Sequence, residues 1–246
     1  MKILVPISKV PDTTAKISFT DNNTKFNSDG VQFIMNPTDE WFALVRAIEI
    51  KEKSGGSVTV INVGGPENEQ IIRKALAIGA DNAIRVDTAD DDAYFVASQI
   101  AAHAKEESYD LIFTGKETID YNGFEVGGMV AEMLDHPFVT LVSHLEIEGN
   151  TVTVKRDIEG GHEVVEVNTP CSISAQKGIS EQRIPNMRGI MQARTKPLEV
   201  KAAVESEKLT QIISYELPPS RKEVKLIDPE NVQELVKLLS EEAKVI

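Results

Sequence analysis

Gly123-Phe124-Glu125-Val126-Gly127-Gly128 is the stretch whose residue types and spacing best suit binding chemistry. Glycines at this density let a backbone come close to a phosphate, and a helix starting there presents free N–H groups to the anion. The stretch is neither G-x-G-x-x-G nor a Walker A loop, and its glycines would equally relieve close packing of a helix on a sheet. Taken alone it leaves both readings open, as does Val63-Gly64-Gly65-Pro66. His103, His136, His144 and His162 show no H-x-x-x-H spacing, so no metal site is expected, and His103, among Ala and Lys, reads as solvated. Asp90-Asp91-Asp92 stands just ahead of a helical pattern, where negative charge complements the dipole. There is no G-x-S-x-G elbow and no Ser/His/Asp order that the strands would bring together, so no catalytic residue is expected. Cys171, the single cysteine, lies in an apolar run and reads as a buried structural thiol.

One local feature runs against the overall charge. The chain has 39 acidic and 26 basic residues, a formal charge of -13, which repels a phosphate backbone and argues against nucleic acid as a partner. Yet Arg183, Arg188, Arg194 and Lys196 stand together with Ile184, Met187 and Ile190 among them. Aliphatic anchors beside arginine suit a protein interface.

The elements that must position these residues alternate. Ile3 to Ile7, Val58 to Val63, Ala83 to Val86 and Leu111 to Thr114 are short apolar runs ended by turns. Between them lie helical patterns. Trp41, Leu44, Val45 and Ile48 form one stripe after Asn36-Pro37-Thr38-Asp39; Ile71, Ile72, Ala75 and Leu76 form another; Val96, Ala97 and Ile100 face inward in a third. A further helix is predicted from about Glu125 to Leu134, and a hairpin or long excursion over 13 to 35. Strands alternating with helices predict a doubly wound, mainly parallel α/β sheet, with ligands beyond the C-terminal ends of its strands. After Pro137 a hairpin over Thr151 to Val167 turns at Glu159-Gly160-Gly161 and is followed by a buried strand at Cys171 to Ala175. The expected division is a nucleotide-binding α/β domain over 1–195 and a C-terminal arm over 196–246. The arm ends in a helix capped by Asp228 with Pro229 at its first position. Lacking a core of its own, that arm must dock on something. No segment reaches the ~20 apolar residues of a membrane span, Met1 leads straight into a strand, and a cytoplasmic location is expected.

Several of these segments, in this order, resemble the beta subunit of electron-transfer flavoproteins over nearly the whole chain. The resemblance rests on Val10-Pro11-Asp12, Met35-Asn36-Pro37 with Asp39-Glu40 behind it, and Ala75-Leu76-Ala77-Ile78-Gly79-Ala80-Asp81. It continues through Thr114-Gly115-Lys116-Glu117-Thr118-Ile119-Asp120, Lys155-Arg156-Asp157-Ile158-Glu159-Gly160-Gly161 and the run from Arg183 to Met191. It implies an adenine-nucleotide-binding fold paired with an alpha subunit that holds the redox FAD. The heterodimer would take electrons from acyl-CoA dehydrogenases or related flavoenzymes and pass them on; this chain would be a carrier subunit, not an enzyme.

By the same resemblance an adenine nucleotide touches Pro6, the turn Asn36, Pro37, Thr38 and Asp39, the loop Val63-Gly64, and the segment holding Gly115, Asp120, Gly123, Phe124, Glu125 and Val126. Asn36 would offer its amide to a base edge. Arg183, Ile184, Met187 and Arg188 fall in the family's partner-recognition loop. AMP-binding members usually carry Asn-Gln-Thr where this chain has Phe124-Glu125-Val126. Val126-Gly127 is similar to electron-bifurcating, NADH-linked members that hold a second FAD. The nucleotide implied here is therefore AMP or a second FAD, with the second FAD favoured. A stand-alone nucleotide sensor of the universal-stress type shares the architecture but needs neither the arm nor the basic loop. A nucleotide-activating ligase would need Ser-Gly-Gly-x-Asp-Ser after the first strand, where Pro6-Ile7-Ser8-Lys9-Val10 stands.

Overall fold

In the computed structural model, which describes residues 1–220 and 224–246, β1 (Lys2–Pro6) leads into an excursion of four short strands. These are β2 (Lys9–Pro11), β3 (Phe19–Thr20), β4 (Lys25–Phe26) and β5 (Phe33–Met35), paired antiparallel as β2–β5 and β3–β4. The alternation read from the sequence follows: α1 (Asp39–Ser54), β6 (Ser57–Val63), α2 (Glu69–Ile78), β7 (Asn82–Asp87), α3 (Ala93–Glu107), β8 (Leu111–Gly115) and α4 (Val126–Met133). Then come β9 (Phe138–Glu148), β10 (Thr151–Ile158), β11 (Gly161–Asn168), β12 (Cys171–Ala175), α5 (Met187–Ala193), β13 (Leu198–Ala202) and α6 (Val232–Lys237).

Nine strands share one sheet in the order β11-β10-β9-β12-β8-β1-β6-β7-β13. Its pairings are parallel except along β9–β10–β11. The period of two along each central strand divides the core. Ile3 and Val5 of β1, Val58 and Val60 of β6, and Leu111 and Phe113 of β8 face α1 and α2. Leu4, Ile61 and Ile112 face α3 and α4 on the other side. Burial on both faces is why these strands read as unbroken apolar runs. The α2 stripe of Ile71, Ile72, Ala75 and Leu76 is buried, each large side chain contributing roughly 1.5–3 kcal/mol of hydrophobic stabilisation. Cys171 is a buried free thiol, its pKa pushed up to about 11 by desolvation.

From β1 the chain winds one way through β6 and β7, then crosses back to β8 on the other side. The strand order therefore reverses between β1 and β8, which opens a crevice beyond their C-terminal ends.

Three features depart from the sequence-based expectations. β13 pairs with β7 from Leu198↔Ala83 to Ala202↔Asp87, so the sheet runs past residue 195. The last helix starts later: Asn231 is its cap, accepting from the Glu234 amide, while Asp228-Pro229 forms the turn before it. His103 is buried rather than solvated, because α3 turns that face toward the interior.

Candidate functional site

The crevice is built from the ends of β1, β6 and β8 and the first turn of α1. At the end of β1 the carbonyl of Ile7 accepts from Asn62 Nδ2 (2.8 Å), and Asn62 Oδ1 accepts from Asn68 Nδ2 (2.9 Å). This buried chain of amides locks Pro6-Ile7 to the loop after β6. There Gly64 donates to the Val86 carbonyl, and its own carbonyl accepts from Arg85. A pocket of about 310 Å³ opens beside it, lined by Gly65, Pro66, Glu67, Asp87, Thr88 and Ala89.

On the β8 side, Gly115 is required by contact. A Cβ there would lie 2.7 Å from Glu40 Cγ and 2.8 Å from the Glu40 amide, so the first turn of α1 rests directly on the strand end. Asn36 is fully buried, and both ends of its side-chain amide are engaged within the fold. Nδ2 donates to the Glu117 carbonyl (2.9 Å) and Oδ1 accepts from the Ile119 N–H (3.3 Å). Asn36 thus ties the turn carrying Pro37, Thr38 and Asp39 to the loop carrying Asp120. The sequence missed a second tie: Glu40 accepts from the Ser8 N–H (2.6 Å) and meets Ser8 Oγ at 2.7 Å. Burial pushes the Glu40 carboxyl up to about 8, against those two hydrogen bonds, and the nearby charges of Asp120 and Asp39 add to the rise. Asp39 is raised as well, by burial and then Glu117, with Lys116 opposing. Glu40 falls on the stripe of Ala43, Leu44 and Ala47; extending that stripe back one turn would have found it.

The glycine motif spans the loop's exit and the start of α4. Tyr121, Gly123, Phe124 and Glu125 are exposed. Glu125 occupies the cap position without a capping hydrogen bond from its side chain, so the first N–H groups of α4 carry no side-chain cap. Gly127 packs over Thr114, where a Cβ would sit 2.7 Å from Thr114 Oγ1. Gly127 serves packing, while Gly123, with only Glu125 Oε1 near its missing Cβ, leaves open backbone. The local charge is acidic, and Lys116 is paired to Glu117 at 2.8 Å.

The expected docking residues lie apart from this crevice, on the α1/α2 face. Trp41 Nε1 donates to the Arg183 carbonyl (3.3 Å), and the Arg183 guanidinium forks onto Glu52 at 2.7 and 3.0 Å. Lys196 turns inward to the Leu76 carbonyl (2.9 Å) at the end of α2. Two of the four cations in the basic loop are therefore engaged internally. Ile184 (84% exposed), Met187 (73%) and Met191 face outward, as does Arg188. Gly189 seats α5 against α2, its missing Cβ 2.4 Å from the Ala77 carbonyl. Gln182 donates to the Pro37 carbonyl, so the root of this loop touches the turn that walls the crevice.

Residues 24–206 match the model of the electron transfer flavoprotein domain. An electron transfer flavoprotein subunit beta from Bacillus subtilis is 36% identical, the match covering all of both chains. One from Thermoanaerobacterium thermosaccharolyticum is 40% identical over 80% of this chain and 76% of its own. The human one is 32% identical over 100% and 99%. A mainly parallel α/β sheet with its crevice at the β1/β8 reversal, matched end to end by proteins of this one description, places the chain in the electron transfer flavoprotein family, among its beta subunits.

Proposed function

We propose that this chain works as the partner-docking, nucleotide-holding half of a heterodimeric electron carrier. Its alpha subunit holds the redox FAD, electrons arrive from an acyl-CoA dehydrogenase or related flavoenzyme, and they leave to a further acceptor. The observation that carries the reading is the arm. Leu217, Leu226, Val232, Leu235 and Val236 are all exposed and gather no core among the described residues, a surface that asks for another chain to cover it.

The crevice fits an adenine nucleotide held by backbone. N–H groups at the start of α4 suit phosphate oxygens, the backbone at Gly123 is open, and Asn36 holds the two walls in register. The bound flavin of the complex supplies electron acceptance; the residues of this chain bind, orient and shield. Glu125, Asp120 and Glu117 disfavour a terminal monoester phosphate, which carries about −2 on one group at neutral pH. A diester diphosphate spreads that charge over two groups, and on this ground a second FAD is favoured over AMP. In that case coupling to NADH by bifurcation is to be tested.

Co-expression with the alpha subunit, followed by quantification of released FAD and AMP, tests the reading. Two FAD, or one FAD with one AMP, per heterodimer supports a nucleotide in this chain and identifies it. One FAD and no AMP removes the nucleotide, and failure to associate with any FAD-bearing alpha subunit removes the heterodimer.

A further inference from the structure

The arm does not simply leave the sheet after β13. Gln99, fully buried on α3, clasps Val204 twice, Nε2 to its carbonyl (3.0 Å) and Oε1 from its N–H (2.7 Å). Asp92 then accepts from the Leu209 and Thr210 amides (3.4 and 2.9 Å) and from the Thr210 hydroxyl, while it also caps α3 at Phe95. Lys208 pairs with Asp90. Further on, the Tyr215 N–H donates to the Asn23 carbonyl (2.7 Å), its ring stacks on Phe19 at 4.8 Å, and its hydroxyl meets that of Tyr121 at 3.1 Å.

Apart from Gln99 on α3, these anchors belong to the connections after β7, β8 and β1, at the same edge of the sheet as the crevice. β7 and β8 are separated by β6 and β1, a span of about 14 Å at the usual strand spacing. From Thr210, the last residue that Asp92 holds, to Tyr215 the chain reaches at most about 18 Å when extended. That leaves little slack, and the direct path between the two anchors passes the ends of β6 and β1. The anchors are not incidental contacts. The Thr210 hydroxyl and then the Phe95 amide pull the Asp92 carboxyl down to about 2, with the Leu209 and Thr210 amides adding to the effect.

We propose that residues 204–215 form a strap across the mouth of the nucleotide crevice, and that the Asp92–Thr210 clasp and the Phe19–Tyr215–Tyr121 contact set how fast the nucleotide leaves. The strap rests on the reading of this crevice as a nucleotide site. A ligand entering or leaving must lift the segment, breaking the charge-assisted bonds to Asp92 and the aromatic stack together.

The test uses the co-expressed heterodimer, with the exchange of bound nucleotide followed after addition of excess labelled AMP and, in parallel, labelled FAD. Thr210→Val and Tyr215→Leu alter the arm alone, and Thr210 is exposed, so the sheet keeps its packing. Each variant is expected to exchange about tenfold faster than wild type, as loss of a charge-assisted bond or an aromatic contact implies, with the heterodimer intact by gel filtration. Tyr215→Phe, which keeps the stack, is expected to fall between them and wild type. Exchange within twofold of wild type in both Thr210→Val and Tyr215→Leu overturns the strap while leaving the nucleotide site standing. A wild-type heterodimer that contains no nucleotide beyond the alpha-subunit flavin, and takes up neither label in this chain, overturns both.

Discussion

Glu40→Gln isolates the most unusual electrostatic feature of the crevice. Two hydrogen bonds from Ser8 and a place in the first turn of α1 favour the charged carboxylate, the helix end by about 0.3–1 kcal/mol. Burial, with Asp120 and Asp39 close by, opposes them and wins, holding the group near 8 against an ordinary 4.5. At about 1.4 kcal/mol per tenfold, that difference sets a ceiling of about 5 kcal/mol. The sign follows from which state holds the proton. In the folded chain Glu40 keeps it up to about 8, whereas the unfolded chain releases it from about 4.5. Its stabilising contribution is full below the lower value and is lost as pH rises through the upper one. Glutamine keeps both contacts, its carbonyl accepting from the Ser8 N–H and its amide donating to Ser8 Oγ, and it has no proton to lose. Urea unfolding of wild type and variant at fixed nucleotide concentration, from about pH 5 to about pH 8, is expected to show Glu40→Gln gaining on wild type by up to about 1.4 kcal/mol per pH unit. A constant offset across that window would mean that Glu40 is ionised throughout and that the two Ser8 bonds outweigh burial.

Gly115→Ala places a methyl 2.7 Å from Glu40 Cγ and 2.8 Å from a backbone nitrogen that cannot swing away; a loss of about 2 kcal/mol is expected by chemical denaturation. Gly189→Ala meets the Ala77 carbonyl at 2.4 Å, so α5 is expected to lift from α2 and trypsin to cut faster at Arg188 and Arg194, with the melting of the sheet little changed. If Met187 anchors the electron donor, Met187→Glu is expected to raise the apparent KM for that flavoprotein by tenfold or more, as loss of a hot-spot contact of about 1.4 kcal/mol or more would, with unfolding unchanged. An unaltered KM removes Met187 from the interface.

Strand and helix periodicity carried the central sheet, because β1, β6 and β8 are apolar on both faces and α1 and α2 on one. β13 escaped notice because Leu198-Glu199-Val200-Lys201-Ala202 is an edge strand with polar residues, which pattern alone cannot separate from a loop. The packing around the crevice was legible where a residue is special by type, as at Gly115 and Gly64, whose missing Cβ positions are filled by Glu40 and Asn68. It was illegible where an ordinary polar residue is made special by a distant partner. Ser8 with Glu40, Asn62 with Asn68, and Asp92 with Thr210 are each pairs whose meaning exists only after folding. Asn36 was read as a ligand contact because its amide is the right chemistry for a base; that the same amide also ties two loops together is visible only in the fold.

The close seat of α5 on α2 has a kinetic consequence. With no room for even a methyl between Gly189 and Ala77, Met187 and Met191 project from a helix that is already seated before any encounter. A protein meeting this face orders a few side-chain rotamers, at about 0.5–1.5 kcal/mol each, rather than a whole loop. Such a surface reaches useful affinity through a small contact, and small contacts part quickly. On the proposed reading of this face as the docking surface, residence time on each visit is set by how well two or three aliphatic side chains fit the other surface, which suits a carrier that must let go of one protein before it can serve the next.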